Sequence, residues 1–236
     1  MIATDHFVFI HLQNCGDSFG KEFLLQFMPD ARHIGNHVPR RLMPPTLAHL
    51  PVLGFVRNPW SYYALWYTLQ SSRASQPAGP RPGALFQVLS ENGRLDFAAT
   101  VRNLLELGTT GARLDELLAS LPESFTGQGL NLPRFALEPI RASGLGFFSF
   151  LFRHMYDGPG MTHIRRLERL SNELIETLIV LGQPVSARMR AYAQEAVRRE
   201  TPGSRDYTQL YSPALRELVA ERDATLIERY GYRFGD

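Results

Sequence analysis

The sequence predicts an α/β fold with a central parallel sheet and helices on both sides. Two segments carry this prediction, because each places a buried apolar run before a short turn and a helix-like pattern: residues 7–27 and residues 51–67. The 236 residues are enough for one α/β domain with a sizeable core. No change in composition marks a boundary, so a single domain over residues 1–236 is expected.

The first segment begins with Phe7–Leu12, a run in which five of six residues are apolar. Such a run favours a buried strand. A short polar turn with Gly16 follows, and apolar residues then recur at helical spacing over residues 19–27, with Ser18 as the predicted N-cap. A loop between a strand and a helix can hold phosphate, because the loop amides and the positive end of the helix dipole point at the anion.

Lys21, the only lysine of the chain, is predicted in the first turn of this helix. The helix dipole disfavours a cation there unless a negative ligand offsets it, which indicates an anion in the loop. The alternative is an ordinary solvent-exposed lysine. The loop does not fit a Walker motif, because Cys15 stands where that motif needs glycine and Glu22 where it needs serine or threonine. The sequence therefore argues against an ATPase or a kinase.

The second segment ends a buried strand with an arginine. Pro51–Val56 is the predicted strand, and Asn58 and Pro59 are the predicted N-cap and first residue of a helix. Arg57 lies between them, at the carboxyl end of a parallel strand, where open α/β sheets bind ligands. Its planar guanidinium suits phosphate, which is the favoured role, and an ion pair with a carboxylate is the structural alternative.

The remainder of the chain alternates helix-like segments with loops. Residues 71–83, rich in Ser, Pro, Gly and Ala, are a predicted loop and a candidate cover for a site. The aromatic run over residues 144–152 indicates core packing, and a binding wall is the alternative interpretation. Other elements are predicted from apolar spacing and caps: a helix from Asp96, a helix over 114–121, a strand over 164–167, a helix over 170–181, a helix over 186–199 and a last helix from Ser212 to Gly231.

Composition argues against several classes of protein. Hydrophobic residues make up 44% of the chain and no apolar run approaches roughly 18 residues, so neither disorder nor a membrane span is expected. The net charge of +2 is too small to indicate nucleic-acid binding. Cys15 is the only cysteine and no secretory leader is evident, so a reducing compartment, the cytoplasm, is expected. No spacing of His, Cys, Asp and Glu suggests a metal site.

Five segments together resemble the sulfotransferases that use 3′-phosphoadenylyl sulfate (PAPS), in particular their compact bacterial and carbohydrate-type members. Residues 10–19 resemble the strand–loop–helix of that family, and residues 55–60 with Trp66 and Tyr67 resemble its second motif. Three further segments are similar to later parts of the family: residues 89–97, residues 203–207 with Tyr211, and residues 215–234. The segments occur in family order and span nearly the whole chain, so the set of five is a more specific signal than any single segment.

The resemblance implies a Rossmann-like sheet of the P-loop NTPase type and transfer of a sulfuryl group from PAPS to a hydroxyl or amine. The acceptor would be a small molecule, a sugar or a lipid, no metal would take part, and the oligomeric state stays open. Arg57 would bind the 3′-phosphate, and Ser204 and Arg205 would lie on a closing loop near the same nucleotide. The first loop would bind the 5′-phosphosulfate through Gln13, Asn14, Cys15, Gly16, Asp17 and Ser18.

The chain departs from the family pattern at four positions. The catalytic lysine of the family falls on Asn14, the second loop glycine on Asp17, the serine of the second motif on Leu65, and a cation often seen near that serine on Tyr62. A carboxylate within about 4–6 Å of a phosphate repels it, so Asp17 is unfavourable beside an anion. In one interpretation Lys21 reaches back and replaces the missing lysine. In the other, the chain has lost catalysis and is a nucleotide-binding or scaffold protein on the same fold.

His37 is the first candidate for the general base that would deprotonate the acceptor. It lies in a loop after a predicted second strand, and an imidazole titrates near neutral pH. His11 is the alternative, although at the end of a strand it can also brace the loop. Lys21, His37 and His11 are therefore the predicted catalytic residues. Cys15 has a third interpretation as a reactive thiol, and the simpler one is a small residue that fills the threonine position of the family.

Overall fold

A computed structural model describes residues 1–76, 80–109, 111–200 and 206–236, without the side chains of Asp17 and of residues 196–200. The contacts divide the chain into two compact units. The first unit comprises Met1–Arg57 and Phe152–Arg205, and the second comprises Asn58–Leu151 and Asp206–Asp236. The expectation of a single domain over residues 1–236 stays a prediction.

The first unit holds a five-stranded mixed sheet in the order β3-β1-β2-β4-β5. The strands are β1 (Ile2–Ala3), β2 (Val8–Phe9), β3 (Arg32–His33), β4 (Val52–Val56) and β5 (Thr162–Arg166). Strands β2, β4 and β5 run parallel, whereas β1 runs antiparallel to both β2 and β3. Helices flank the sheet, which confirms the α/β class: α1 (Asp17–Phe27), the end of α7 (Phe147–Tyr156), α8 (Leu170–Val180) and α9 (Ala187–Glu200).

The predicted central parallel sheet is present in β2, β4 and β5, and the sheet as a whole is mixed because β1 runs antiparallel. The two residues of β1 are too few to show the alternation that is typical of a strand. The hairpin that joins β1 to β2 depends on the hydrogen bonds of Thr4. The Thr4 backbone N–H donates to the Phe7 carbonyl at 3.0 Å. The Thr4 hydroxyl oxygen accepts the N–H groups of His6 and Phe7 at 3.1 and 2.9 Å. Side-chain hydrogen bonds of this kind favour a turn over regular structure.

The second unit is helical in its described residues. Its helices are α2 (Pro59–Ala74), α3 (Ala84–Leu89), α4 (Phe97–Leu105), α5 (Gly111–Ser120), α6 (Arg134–Leu137), the start of α7, α10 (Pro213–Arg222) and α11 (Ala224–Tyr230). Three predicted starts are confirmed, because the side chains of Asn58, Asp96 and Ser212 each accept a backbone N–H from the first turn that follows. In the described parts of both units, no helix is long and apolar enough to cross a membrane.

Ser18 is exposed and is not the N-cap of α1. The helix begins at Asp17, and its cap is Gly16, whose backbone is left-handed with a φ of 74°. A Cβ atom at this position would lie 2.7 Å from Leu167 Cδ1. Glycine is therefore needed both for the turn and for space. Lys21 consequently lies in the second turn of α1 rather than in the first.

Two other predicted boundaries also differ from the structure. Helix α2 continues to Ala74, so the predicted loop over residues 71–83 begins as helix, and residues 77–79 lie outside the described residues. The last helix is two helices, α10 and α11, which are separated by the fully buried Asp223. Apolar residues keep helical spacing across this break, which is why the sequence predicts one continuous helix.

The aromatic run over residues 144–152 packs into the interior. Four phenylalanines of this run are buried: Phe147, Phe148, Phe150 and Phe152. Within the second unit, the Phe148 ring stacks on the Tyr62 ring with 3.8 Å between the centroids. The core-packing interpretation is therefore confirmed.

Two glycines let helices approach the sheet of the first unit from opposite faces. A Cβ atom on Gly20 of α1 would lie 2.5 Å from the Phe9 ring, so α1 packs directly on β2. A Cβ atom on Gly54 would lie 2.5 Å from both the ring and the hydroxyl of Tyr156, at the end of α7. Phe9 pairs with Leu53, the neighbour of Gly54, and neighbours along a strand point to opposite faces.

We expect Gly54→Ala to lower the free energy of unfolding by about 1–3 kcal/mol, the usual cost of overpacking a core. The added methyl group has no room beside Tyr156, and Gly54 lies in the middle of a buried strand. Urea denaturation followed by circular dichroism measures the change. Gly83→Ala is the matched control, since a Cβ there would meet only Gln70, at 3.9 Å. Equal stabilities for the two variants would contradict the close contact.

Candidate functional site

The carboxyl ends of the parallel strands gather most of the predicted site residues at one edge of the sheet. Strand β2 leads into the loop over residues 11–16, and β4 leads directly to Arg57. Strand β1 runs the opposite way, so Met1 lies at the same edge, together with His37 in the loop after β3. Open α/β sheets bind ligands outside this edge.

The loop between β2 and α1 is tight and ends at a helix N-terminus. Asn14 and Gly16 are both left-handed, with φ of 60° and 74°, and asparagine tolerates this conformation better than most residues. The Cys15 N–H donates to the Leu12 carbonyl at 3.2 Å. Gln13 and Cys15 are buried, so the loop exposes little apart from its backbone. The first N–H groups of a helix have no helical acceptor, which together with the dipole favours an anion here.

Arg57 connects the end of β4 to this loop. Its Nε donates to the Asn14 carbonyl oxygen at 2.8 Å. The contact holds the left-handed turn at Asn14 in place and brings a half-buried guanidinium beside the start of α1. The planar donor set of an arginine can serve a carbonyl and a phosphate oxygen together.

His11 is almost completely buried, with 3% of its surface exposed. The amino group of Met1 donates to His11 Nε2 and also to the Gly35 carbonyl. These contacts join the start of β1, the end of β2 and the loop after β3. On its other side the imidazole contacts the Phe9 ring at 5.7 Å between centroids. His11 is therefore part of the packing that fixes the loop.

The groups that act electrostatically on His11 among the described residues are all basic groups. Burial lowers the pKa of His11 to about 2, and the charges of the Met1 amine, His37, His33 and Lys21 act in the same direction. Burial and the charge of Lys21 also lower the pKa of the Met1 amine to about 5. With a pKa of about 5 the Met1 amine is mostly uncharged at neutral pH, so the Lys21 amine is the permanent cation of this set and favours an anion nearby. An imidazole with so low a pKa is a poor base at neutral pH, so the bracing role of His11 is favoured.

His37, the predicted general base, lies in the loop after β3 and contacts the His11 carbonyl. It is half-buried in a left-handed conformation with a φ of 47°. Its Nδ1 lies 3.3 Å from the His11 carbonyl oxygen, and because a carbonyl can only accept, this nitrogen carries the proton. In the neutral ring Nε2 is then the basic nitrogen. The two imidazoles lie edge to face with 5.3 Å between their centroids.

Lys21 brings a cation to the same place from α1. It is half-buried, and no described side chain forms an ion pair with it. Asp17 lies one helical turn before it, and the side chain of Asp17 is outside the described part of the structure. Helical side chains lean toward the N-terminus of their helix, so the Lys21 amine extends toward the loop. Its effect on the pKa of both His11 and the Met1 amine agrees with that direction.

The structure thus brings together most of the predicted site. The loop, Arg57, His11, His37 and Lys21 share the carboxyl edge of the sheet in the first unit. Ser204 and Arg205, predicted on a closing loop, lie outside the described residues.

Tyr156 is a site residue that the sequence does not indicate. Its hydroxyl donates to the carbonyls of Ile10 and Phe55, at 3.1 and 3.0 Å, where β2 and β4 separate into the loop and Arg57. The contact fixes the distance between these strand ends. Its partners are far away in sequence, so no local motif could have identified it.

Searches for related proteins give no assignment. No group of three His, Cys, Asp or Glu residues within the described ranges could hold a metal ion. No family model, no curated protein and no solved structure matches the chain. The chemistry of the site therefore has to be argued from its own residues.

Proposed function

We propose that this protein is a sulfotransferase that moves a sulfuryl group from PAPS to a hydroxyl or amine acceptor. The observation that carries the proposal is the convergence of Arg57, Lys21 and two histidines on a loop and a helix N-terminus at the carboxyl edge of the sheet. Fixed cations, a helix N-terminus and a candidate base are what an anionic group-transfer substrate requires. The resemblance of the sequence segments to PAPS-dependent sulfotransferases selects sulfuryl transfer among such reactions.

In the proposed complex, the 5′-phosphosulfate lies against the loop over residues 13–18 and the first turn of α1. Arg57 holds the loop through Asn14 and contributes the rest of its guanidinium to the 3′-phosphate, as the resemblance to the PAPS-dependent sulfotransferases implies. Lys21 supplies the positive charge that the family takes from the loop position now occupied by Asn14. Fixed donors of this kind stabilise charge that develops in the transition state.

His37 starts the transfer in this proposal. The acceptor proton passes to His37 Nε2, the acceptor oxygen or nitrogen forms a bond to sulfur, and the bond from sulfur to the bridging phosphate oxygen breaks. Adenosine 3′,5′-bisphosphate leaves with the negative charge. Holding the donor and acceptor in line accounts for much of the rate increase that such sites achieve. The acceptor is a small molecule, a sugar or a lipid, and a cytoplasmic location without nucleic-acid partners is part of the same proposal.

A second candidate, a nucleotide-binding protein without catalysis, is favoured by Asn14. This residue uses its carbonyl to hold Arg57, and its short neutral side chain cannot act as a lysine does. Both candidates require a nucleotide site, and only the first requires transfer. Incubation with radiolabelled PAPS and a panel of phenols, sugars and lipid alcohols separates them, because a protein that binds the nucleotide and labels none of the acceptors is the second.

Calorimetric titration with adenosine 3′,5′-bisphosphate tests the nucleotide site. We expect a micromolar dissociation constant and much weaker binding of ATP. Arg57→Ala is expected to raise the dissociation constant about 10- to 100-fold, since a charge-assisted hydrogen bond contributes about 1.5–3 kcal/mol. Arg94→Ala, at a mostly exposed arginine of the second unit, is the matched control. Equal affinities of wild type and Arg57→Ala would exclude the proposed role of Arg57.

A further inference from the structure

Tyr156 bridges the two strands that carry the candidate site. It is the last residue of α7 and is 3% exposed. Its hydroxyl lies 3.1 Å from the Ile10 carbonyl at the end of β2 and 3.0 Å from the Phe55 carbonyl of β4. A phenol carries one proton, so the two carbonyl oxygens share it. Without the hydroxyl, two buried acceptors would lie close together and lack this donor, which costs free energy.

The bridge lies where the backbone pairing of β2 and β4 gives way to the site. The Ile10 N–H still donates to the Leu53 carbonyl at 2.9 Å. The next residue begins the loop over residues 11–16, and Arg57 comes directly after β4. Tyr156 therefore fixes the separation of the two strands just before one becomes the loop and the other presents the arginine.

A second contact joins the same two segments further along the chain. Arg57 Nε donates to the Asn14 carbonyl oxygen at 2.8 Å. Hydrogen bonds of this type are lost beyond roughly 3.5 Å, so a shift of about 1 Å between the strand ends would break it. The contact between Arg57 and Asn14 thus depends on the separation that Tyr156 sets.

Gly54 provides the space that the Tyr156 hydroxyl occupies. A Cβ atom at this position would lie 2.5 Å from the hydroxyl oxygen. Glycine weakens the interior of a strand, and it often marks a place where another group approaches closely. Tyr156 makes this approach from the face of the sheet opposite α1.

We propose that Tyr156 is a positioning residue of the site: it holds the ends of β2 and β4 at the separation at which Arg57 can bind Asn14 and an anionic ligand together. The inference rests on the proposed nucleotide site and adds a residue that acts on the ligand only through Arg57. Loss of the hydroxyl therefore weakens nucleotide binding as long as Arg57 is present, and has no further effect once Arg57 is absent.

Tyr156→Phe removes the hydroxyl and keeps the ring. Calorimetric titration with adenosine 3′,5′-bisphosphate gives the stoichiometry and the dissociation constant separately. We expect the dissociation constant to rise about 5- to 20-fold at unchanged stoichiometry, because a binding site has to be held within about 0.5 Å of its productive geometry. A role in stability alone would lower the folded fraction, and with it the stoichiometry, and would leave the dissociation constant of the folded protein unchanged.

Tyr192→Phe is the matched control and is expected to bind like wild type. It makes the same chemical change at a half-buried tyrosine of the first unit, whose ring stacks on Phe19.

The double variant Tyr156→Phe/Arg57→Ala tests whether the hydroxyl acts through Arg57. We expect it to bind the nucleotide within about twofold of Arg57→Ala alone, since the effects of residues in one network do not add. Gly54→Ala displaces the hydroxyl with a methyl group and is expected to give the same pattern, with weaker binding beside Arg57 and no further loss beside Arg57→Ala. It provides the test if Tyr156→Phe does not fold.

The results that would overturn the inference differ in what else they overturn. A dissociation constant of Tyr156→Phe within twofold of wild type, or an equal loss in Tyr192→Phe, makes Tyr156 a purely structural residue and leaves the proposed function intact. Multiplication of the two effects in the double variant excludes action through Arg57. Absence of nucleotide binding by the wild-type protein excludes the nucleotide site, and with it both this inference and the proposed function.

Discussion

Replacement of Asp223 by alanine is expected to lower the free energy of unfolding by about 3 kcal/mol or more. Asp223 is completely buried in the second unit, between α10 and α11. Its carboxylate accepts the Tyr63 hydroxyl at 2.7 Å and the Ser149 N–H at 2.8 Å. Alanine would leave both donors buried without an acceptor, and each such group costs about 1–3 kcal/mol.

The same carboxylate closes the start of α7. Ser149 lies in the first turn of this helix, where N–H groups lack helical acceptors, and the neighbouring Phe148 N–H donates to the Tyr63 hydroxyl at 3.0 Å. Asp223 and Tyr63 together serve as a cap formed by distant parts of the chain. The fit is close, because a Cβ atom on Gly146 would lie 2.8 Å from the Asp223 carboxylate.

Asp223→Asn removes the charge of the side chain but keeps one oxygen that can accept a hydrogen bond. We expect a smaller loss than in Asp223→Ala, because the amide oxygen still accepts while its NH₂ group faces donors. Burial raises the pKa of the Asp223 carboxyl above its usual value of 3.8, and the hydrogen bonds from Ser149 and Tyr63 offset this only in part. Protonation of Asp223 is therefore easier in the folded than in the unfolded state, and the stability that this adds is lost as pH rises from 3.8 through the folded-state pKa.

Chemical denaturation from pH 3 to pH 7 tests both statements. The difference between wild type and Asp223→Asn should be largest in acid and should shrink as pH rises, since only the wild type has this proton to lose. A stability change below about 1 kcal/mol in Asp223→Ala, or a difference that grows with pH, would contradict the account of Asp223 as a buried cap.

Local chemistry explains which parts of the fold are predictable from sequence. The sequence predicts Asn58, Asp96 and Ser212 as caps, and they act as caps, because the backbone N–H groups that donate to their side chains lie two or three residues further along the chain. Strand β4 is predictable because its residues form a continuous apolar run, as expected for a strand whose five residues are all buried. In these cases the sequence neighbours are also the structural neighbours.

Tertiary contacts explain the errors. Strand β1 exists only because it pairs with β2 on one side and β3 on the other. The sequence predicts Ser18 as the cap of α1, but the cap is Gly16. At that position Leu167, which is far away in sequence, leaves no room for a side chain. The break between α10 and α11 places Asp223 where its carboxylate accepts the Ser149 N–H at the start of α7. The helical spacing of apolar residues cannot reveal this contact.

The candidate site, too, could be predicted from the sequence only in part. Its members could be selected by residue type and by position after a strand, and the topology brings His11, His37 and Arg57 to one edge. Their hydrogen bonds could not be predicted. The Arg57 contact with Asn14 and the His37 contact with the His11 carbonyl each join segments at least 26 residues apart. The proposal of His37 as base and His11 as brace depends on those contacts.

Lys21→Met is expected to reduce the rate of sulfuryl transfer at least about 100-fold while leaving nucleotide affinity within about tenfold. Removal of one fixed donor from a developing negative charge typically costs a factor of about 10²–10³ in turnover. Methionine preserves much of the length and the apolar stem of the side chain, so the packing of α1 should persist. Transfer kinetics with radiolabelled PAPS and calorimetry with adenosine 3′,5′-bisphosphate measure the two effects separately.

The position of Lys21 makes this prediction specific. The lysine lies one turn inside α1, its charge acts on His11 and the Met1 amine, and its side chain leans toward the loop that holds Asn14. Glu22→Gln changes the charge of the next, exposed residue and is the matched control. Lys21→Arg should recover only part of the rate, because a forked guanidinium does not reproduce a point charge. If Lys21→Met transferred sulfuryl groups as fast as wild type, Lys21 would be an ordinary surface lysine, and the positive charge required at sulfur would have to come from Arg57.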